Sequence, residues 1–88
     1  MISSEQLQRI ASAIRSQTLN ETVVTALRGE YPGIHFTYCM DDDLPNVEPV
    51  LEGESFNLYL VDGREHCLCL TNSYEHATGI VIAEVIED

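Results

Sequence analysis

The chain has 88 residues, of which 15 are Asp or Glu and 4 are Lys or Arg, so its formal net charge is -11. This length suits one domain with a single core, and the hydrophobic share of 44% is ordinary for a globular protein. The acidity disfavours nucleic-acid binding, because phosphate contacts need clustered Lys and Arg. No apolar run approaches the ~20 residues that cross a bilayer, and the N-terminus lacks the pattern of a secretory signal. We therefore expect a cytoplasmic protein that binds no membrane.

The charge is unevenly distributed along the chain. Residues 1–40 contain three acidic residues and three arginines, so their charge is zero, and residues 41–88 carry the whole net charge of -11. The simplest consequence is solubility, since net charge governs solubility and association more than fold. An acidic half can also face a basic partner, and we carry both interpretations forward.

Two amphipathic helices are predicted at the start of the chain. Ser3 and Gln6 match a capping box, and apolar residues then recur at i, i+3, i+4 and i+7. Asn20 is suited to cap a second helix, and Gly29 can end it. The pattern favours a helical hairpin within residues 1–31, and one bent helix is the alternative.

The next segment predicts a strand followed by a long acidic loop. Residues 34–40 alternate between apolar and polar side chains, as expected of a strand with one face on the helices. Residues 41–54 then form a connection with two prolines and six carboxylates. A loop of that length inside a small domain is usually functional or mobile. We expect a partner to contact its carboxylates, which are Asp41, Asp42, Asp43, Glu48, Glu52 and Glu54.

Residues 56–70, FNLYLVDGREHCLCL, are two alternating apolar runs joined by Asp-Gly, a sequence typical of a tight β-hairpin. A two-residue turn would pair Val61 with Arg64. A three-residue turn with a left-handed glycine would pair Leu60 with Arg64, and we favour it because it places the leucines on the core face. The register matters because it decides which face carries the cysteines.

Residues 79–88 begin with GIVIAEVI, which is apolar on both faces and predicts a covered strand, with a terminal helix as the alternative. We therefore expect an α+β fold of order ααββββ, in which the helical hairpin packs on one face of a small antiparallel sheet of about four strands. Residues 1–31 form the helical part and residues 33–88 the sheet part of one domain. The second sheet face is also apolar, so we expect residues 73–88 or a homodimer contact to cover it.

The cysteines raise the question of a metal site. Cys67 and Cys69 lie at i and i+2 on the predicted strand, so their side chains share a face, and Cys39 and His35 can join them there. Three thiolates and an imidazole suit zinc or another thiophilic metal. A Cys-x-Cys pair on a strand lacks the turn of a usual zinc knuckle, and free cysteine often packs as a small hydrophobe. We therefore favour core packing.

No catalytic site is apparent in the sequence. Cys67 and Cys69 lie in the acidic half and Cys39 just before it, whereas an activated thiolate needs an electropositive setting. The sequence predicts a non-catalytic interaction or accessory module that needs no cofactor, binds a basic protein partner and forms a homodimer. The alternative is a metal-binding or metal-delivery protein that uses Cys39, Cys67, Cys69 and His35.

Overall fold

A computed structural model describes residues 2–44, 47–63 and 69–85 of the chain. Two helices precede five strands, so the expected α+β fold with an N-terminal helical hairpin is confirmed. The sheet has five strands because the acidic loop contributes a short strand of its own. The elements are α1 (Ser4–Arg15), α2 (Glu21–Glu30), β1 (His35–Met40), β2 (Leu51–Glu52), β3 (Phe56–Asp62), β4 (Cys69–Thr71) and β5 (Gly79–Glu84).

Local side-chain chemistry sets the helix ends. The Gln6 N–H donates to the Ser3 Oγ at 3.0 Å and the Gln6 side chain accepts from the Ser3 N–H, which completes the expected capping box. The Val23 N–H donates to the Asn20 side chain at 3.1 Å, which caps α2 as expected. The helix then continues past Gly29, which has no positive φ, and ends at Glu30. Gly29 is therefore not the cap.

The sheet is mixed rather than antiparallel throughout. The strand order is β1-β5-β3-β2. β4 also pairs with β3, along the same edge as β2. β3 pairs antiparallel with β5, whereas β1 pairs with β5 in parallel. β5 takes the central position because it is apolar on both faces, and residues 79–83 are all buried. The two-sided pattern identified a covered strand, but it did not predict that this strand would separate β1 from β3.

The hairpin between β3 and β4 differs from both predicted registers. Leu60 pairs with Thr71 and Val61 with Leu70, so β3 continues through the residues expected to form the turn. Gly63 lacks the positive φ that a tight turn would need, and its N–H donates to the Thr78 Oγ1 at 2.9 Å. The end of β3 is thus bound to the segment that precedes β5. Residues 64–68 lie outside the described residues.

The core lies between the helices and one face of the sheet. Its largest fully buried side chains are Phe56, Ile2, Leu7, Ile10, Ile14, Leu58, Leu60, Ile80, Ile82 and Val24. Among the described residues, no helix is long and apolar enough to cross a membrane.

The opposite side of the sheet, here called the outer face, carries a second and smaller apolar cluster. Tyr59, Val81 and Ala83 are buried there, and the partly buried residues packed against them are Cys39, Leu44, Val61 and Leu70. The expected cover was residues 73–88 or a homodimer contact. Within the described residues, the contact from outside the sheet comes from Leu44 and not from residues 73–85. Those residues instead supply β5 and a backbone carbonyl, that of Tyr74, which accepts from Ile2 at 3.1 Å.

Candidate functional site at the acidic turn

The sequence-predicted acidic residues begin in a short ordered turn that follows β1. Asp41–Asp43 form one turn of 3-10 helix, here called the acidic turn. The Leu44 N–H closes it by donating to the Asp41 carbonyl at 3.2 Å, and the Leu44 side chain packs on the outer face. Burial of Leu44 therefore brings the three carboxylates close to the sheet.

The Asp41 carboxylate is bound to the sheet directly. Its Oδ1 accepts hydrogen bonds from the Tyr59 hydroxyl at 2.9 Å and from the Asn57 Nδ2 at 3.1 Å. Asn57 and Tyr59 are two residues apart on β3, so both point to the outer face. Burial, together with the hydrogen bond to Asp41, raises the pKa of Tyr59 and keeps its hydroxyl protonated as a donor. Asp42 and Asp43 remain exposed.

Five of the six carboxylates expected to meet a partner are divided between two grooves. Asp41, Asp42 and Glu48 line a groove of about 640 Å³ whose apolar wall includes Val47. The other two, Glu52 and Glu54, line a separate groove of about 630 Å³, where Arg15 offsets part of their charge. Asp43 is exposed and lines neither groove. The first groove therefore holds the less compensated negative charge.

The net charge is unevenly distributed between the helices and the rest of the fold. Arg9 and Arg15 lie on α1 and Arg28 lies on α2, so every arginine in the described part of the chain belongs to the helical layer. The helical layer contains as many acidic residues as arginines, which leaves the uncompensated carboxylates around the sheet. The uneven charge seen along the sequence thus becomes an uneven charge across the fold.

The structure does not bring the predicted metal ligands together. Cys39 pairs with Ala83 and lies on the outer face, whereas Cys69 pairs with Asp62, on the opposite face. The expectation that these two cysteines share a face is therefore wrong, and the shifted hairpin register is the reason. Cys67 lies outside the described residues, and within those described no group of three or more candidate ligands could hold a metal ion.

His35 does share the outer face with Cys39, but at a distance. The two residues are four positions apart on β1, which corresponds to about 13 Å along a strand. Burial raises the pKa of the Cys39 thiol, and the charges of Asp43 and Asp41 raise it further. The thiolate that would bind a metal or attack an electrophile is disfavoured at neutral pH.

Sequence analysis missed Asn57 and Tyr59 as residues of this site. Their alternation on β3 indicated the outer face, but their contact with Asp41 spans 16 and 18 residues of chain. It missed Tyr38 and Glu84 as well, whose side chains form a hydrogen bond on the helix side of the sheet. The pKa of Tyr38 is raised to about 12, and this hydrogen bond is the largest of the causes. A long-range pairing of this kind leaves no signal in local spacing.

Comparison with known proteins gives a family without an activity. A family model described as a family of unknown function, DUF6129, matches residues 6–85, which cover α1 from its third residue, all of α2 and the five strands. No curated protein and no solved structure matches the chain.

Proposed function

The chain belongs to the family of unknown function DUF6129, and we propose that it is a non-catalytic interaction or accessory module that binds a basic protein partner. The observation that supports this most is the attachment of Asp41 to Tyr59 and Asn57, which gives the acidic turn a fixed position beside the outer face. Carboxylates held in place lose less conformational entropy on binding than those of a free loop.

An apolar contact lies beside this charge. Val47 is 44% exposed and is the exposed large hydrophobic residue of the described chain. It separates the acidic groove from a second one of about 390 Å³, which Leu70 also lines. Protein interfaces commonly combine an apolar centre with a polar rim, and complementary charge adds specificity and association rate. A partner with basic side chains around an apolar residue fits this surface.

The raised pKa values of three described side chains do not favour those side chains as catalytic groups. A general base or nucleophile works best when its pKa lies near the operating pH. The pKa values of Cys39, Tyr38 and Tyr59 are instead all raised, so these groups hold their protons at neutral pH. We also propose a cytoplasmic location, because Cys39 and Cys69 are free thiols of the kind that a reducing compartment maintains.

The test is affinity capture with two charge-reversed variants. Glu48→Lys changes an exposed carboxylate of the acidic groove, and Glu75→Lys makes the same charge change at an exposed position away from that groove. We expect a basic protein to be captured by wild type and by Glu75→Lys, released by added salt, and lost in Glu48→Lys. Equal capture by both variants would contradict the proposal.

The metal-binding alternative gains no supporting contact from the described residues. It is tested by elemental analysis of anaerobically purified protein and of its Cys67→Ser and Cys69→Ser variants. About one bound metal per chain, lost in both variants, would replace the interaction proposal with the metal proposal.

A further inference from the structure

The two edges of the sheet differ in how they are protected. β1 forms one edge, and its register with β5 runs without a bulge from His35 to Met40. This strand contains no proline and no Asp, Glu, Lys or Arg. Natural edge strands are usually shortened, bulged or charged, because a long regular edge pairs readily with another chain. Within the described residues, no strand pairs with the edge of β1 that faces away from β5.

The opposite edge has such protection. Two short strands pair with β3 along the edge that does not face β5. β2 (Leu51–Glu52) pairs with only two residues of β3, and β4 (Cys69–Thr71) pairs with three. Pro49 and Glu52 lie at the shorter of them, and both residue types disfavour pairing with a further strand. The uninterrupted edge is therefore specific to β1.

The backbone groups that face outward from β1 can be identified. The His35 N–H donates to the Thr78 carbonyl at 3.2 Å, toward β5, so the backbone groups of the next residue point away from the sheet. The Phe36 carbonyl points away from the sheet in this way, and it accepts a hydrogen bond from the Arg28 side chain at 3.0 Å. By the same alternation, the N–H and carbonyl groups of Tyr38 and Met40 also face outward.

The strand also has opposite charges at its two ends. Arg28 contacts the backbone of β1 near its start, and the acidic turn follows directly after Met40. An antiparallel pair of such strands places the start of one beside the end of the other. Each arginine then lies near the aspartates of the other copy, so the edge is complementary to itself.

We propose that two copies of the chain pair through their β1 edges, antiparallel and with the two-fold axis at Tyr38, to form one continuous sheet. Phe36 of each copy then lies opposite Met40 of the other, and the outward groups of these residues and of Tyr38 pair. The Phe36 carbonyl, which has two lone pairs, accepts from the Met40 N–H of the other copy as well as from Arg28. Arg28 of each copy approaches Asp42 and Asp43 of the other. Asp42 also lines the Glu48 groove, whereas Arg28 and the β1 edge do not, so Arg28→Glu tests this pairing independently of the proposed function.

The test is a charge exchange between two variants, measured by sedimentation equilibrium in 0.15 M salt. Arg28→Glu and the double variant Asp42→Arg/Asp43→Arg each place like charges at both ends of the self-paired strands. We expect each variant alone to dimerise about tenfold more weakly than wild type or worse. An equimolar mixture restores opposite charges at both ends, and we expect it to form a heterodimer with near wild-type affinity. Arg9→Glu, at an exposed position on α1, is the matched control and should dimerise as wild type does.

A measurement on wild type avoids dependence on variants that fail to fold. The amide N–H of Tyr38 faces solvent in the single copy and is hydrogen-bonded in the pair. Its hydrogen exchange, followed by NMR, should slow as protein concentration rises, while that of Ser12 on α1 should not. A wild-type chain that stays monomeric would overturn the proposal. A dimer would also overturn it if the Arg28→Glu substitution weakened dimerisation no more than the Arg9→Glu substitution does.

Discussion

The Tyr59 hydroxyl donates a 2.9 Å hydrogen bond to the carboxylate of Asp41, a residue 18 positions earlier in the chain. This contact joins the middle of β3 to the turn that follows β1. β1 and β3 are not neighbours in the sheet. It gives the acidic turn a position set by the fold. The chemistry that we assign to this side of the molecule depends on that position.

Replacing the tyrosine tests this contact. Tyr59→Phe keeps the buried ring but removes the donor, so the free energy of unfolding should fall by about 1.5–3 kcal/mol, as for a hydrogen bond to a charged group. Urea denaturation measures this, and hydrogen exchange should quicken at Leu44. Tyr74→Phe is the control, because the hydroxyl of Tyr74 makes no hydrogen bond within the described residues. An equal effect of the two substitutions would mean that the contact does not hold the turn.

Gly79 tests the parallel pairing of β1 with β5. A Cβ at this position would lie 2.8 Å from the His35 carbonyl oxygen and 3.1 Å from the His35 Cβ. Gly79→Ala should therefore destabilise the protein by about 1–3 kcal/mol, because the strands have to separate. In Gly33→Ala the new Cβ meets nothing within 4 Å, and its stability should stay within about 1 kcal/mol of wild type. Thermal and urea unfolding compare the two, and a tolerated Gly79→Ala would contradict the pairing of these strands.

Tyr38 should make stability pH-dependent at high pH. Its hydrogen bond to Glu84 is the main cause that raises its pKa from 10.0 to about 12. Because the folded pKa exceeds the unfolded one, this contribution is complete below pH 10 and is lost as the pH rises toward 12. Urea unfolding at several pH values should show a decline in that window, and Tyr38→Phe should reduce it. A decline of the same size in the variant would assign the effect to other groups.

The Cys39 thiol should react slowly with alkylating reagents. Burial and the charges of Asp43 and Asp41 raise its pKa above the ordinary value of 9.0. In a variant whose other two cysteines are serine, the rate of reaction with iodoacetamide should therefore still rise with pH beyond pH 9. The same experiment on a variant that keeps only Cys69, which is exposed, is the comparison. A rate for Cys39 that levels off below pH 8 would reveal an activated thiolate and support a catalytic or metal-binding role.

Local patterns predicted local structure in this chain. The capping box at Ser3 and the cap at Asn20 lie within three residues of the groups they bind, so spacing alone located both helix starts. Four of the five strands were located for the same reason, since alternation along a strand is a property of neighbouring residues, whereas the two-residue β2 was expected to be loop. These signals were sufficient for the α+β class and for the order of every helix and strand except β2.

Contacts between distant segments decided what the sequence did not predict. The Asp-Gly pair favoured a tight turn, but Gly63 and Val61 instead bind Thr78, which lies far along the chain. That contact extends β3 and shifts the register, and the shift separates the faces of Cys39 and Cys69. The hydrogen bond between Asp41 and Tyr59 has the same long-range origin. The acidic residues were therefore identified from the sequence, whereas their attachment to the sheet was not.

Photo-crosslinking in cells tests the binding role most directly, because it reports which side of the molecule meets another protein. In one variant a photoreactive amino acid replaces Val47, beside the acidic groove. In a second variant of the same chain it replaces Gln8, on the exposed side of α1. We predict a crosslink from position 47 to one basic protein, lost when Glu48→Lys is added, and no such crosslink from position 8. A crosslink to that protein from position 8 alone, or no crosslink from position 47, would contradict binding through the acidic groove.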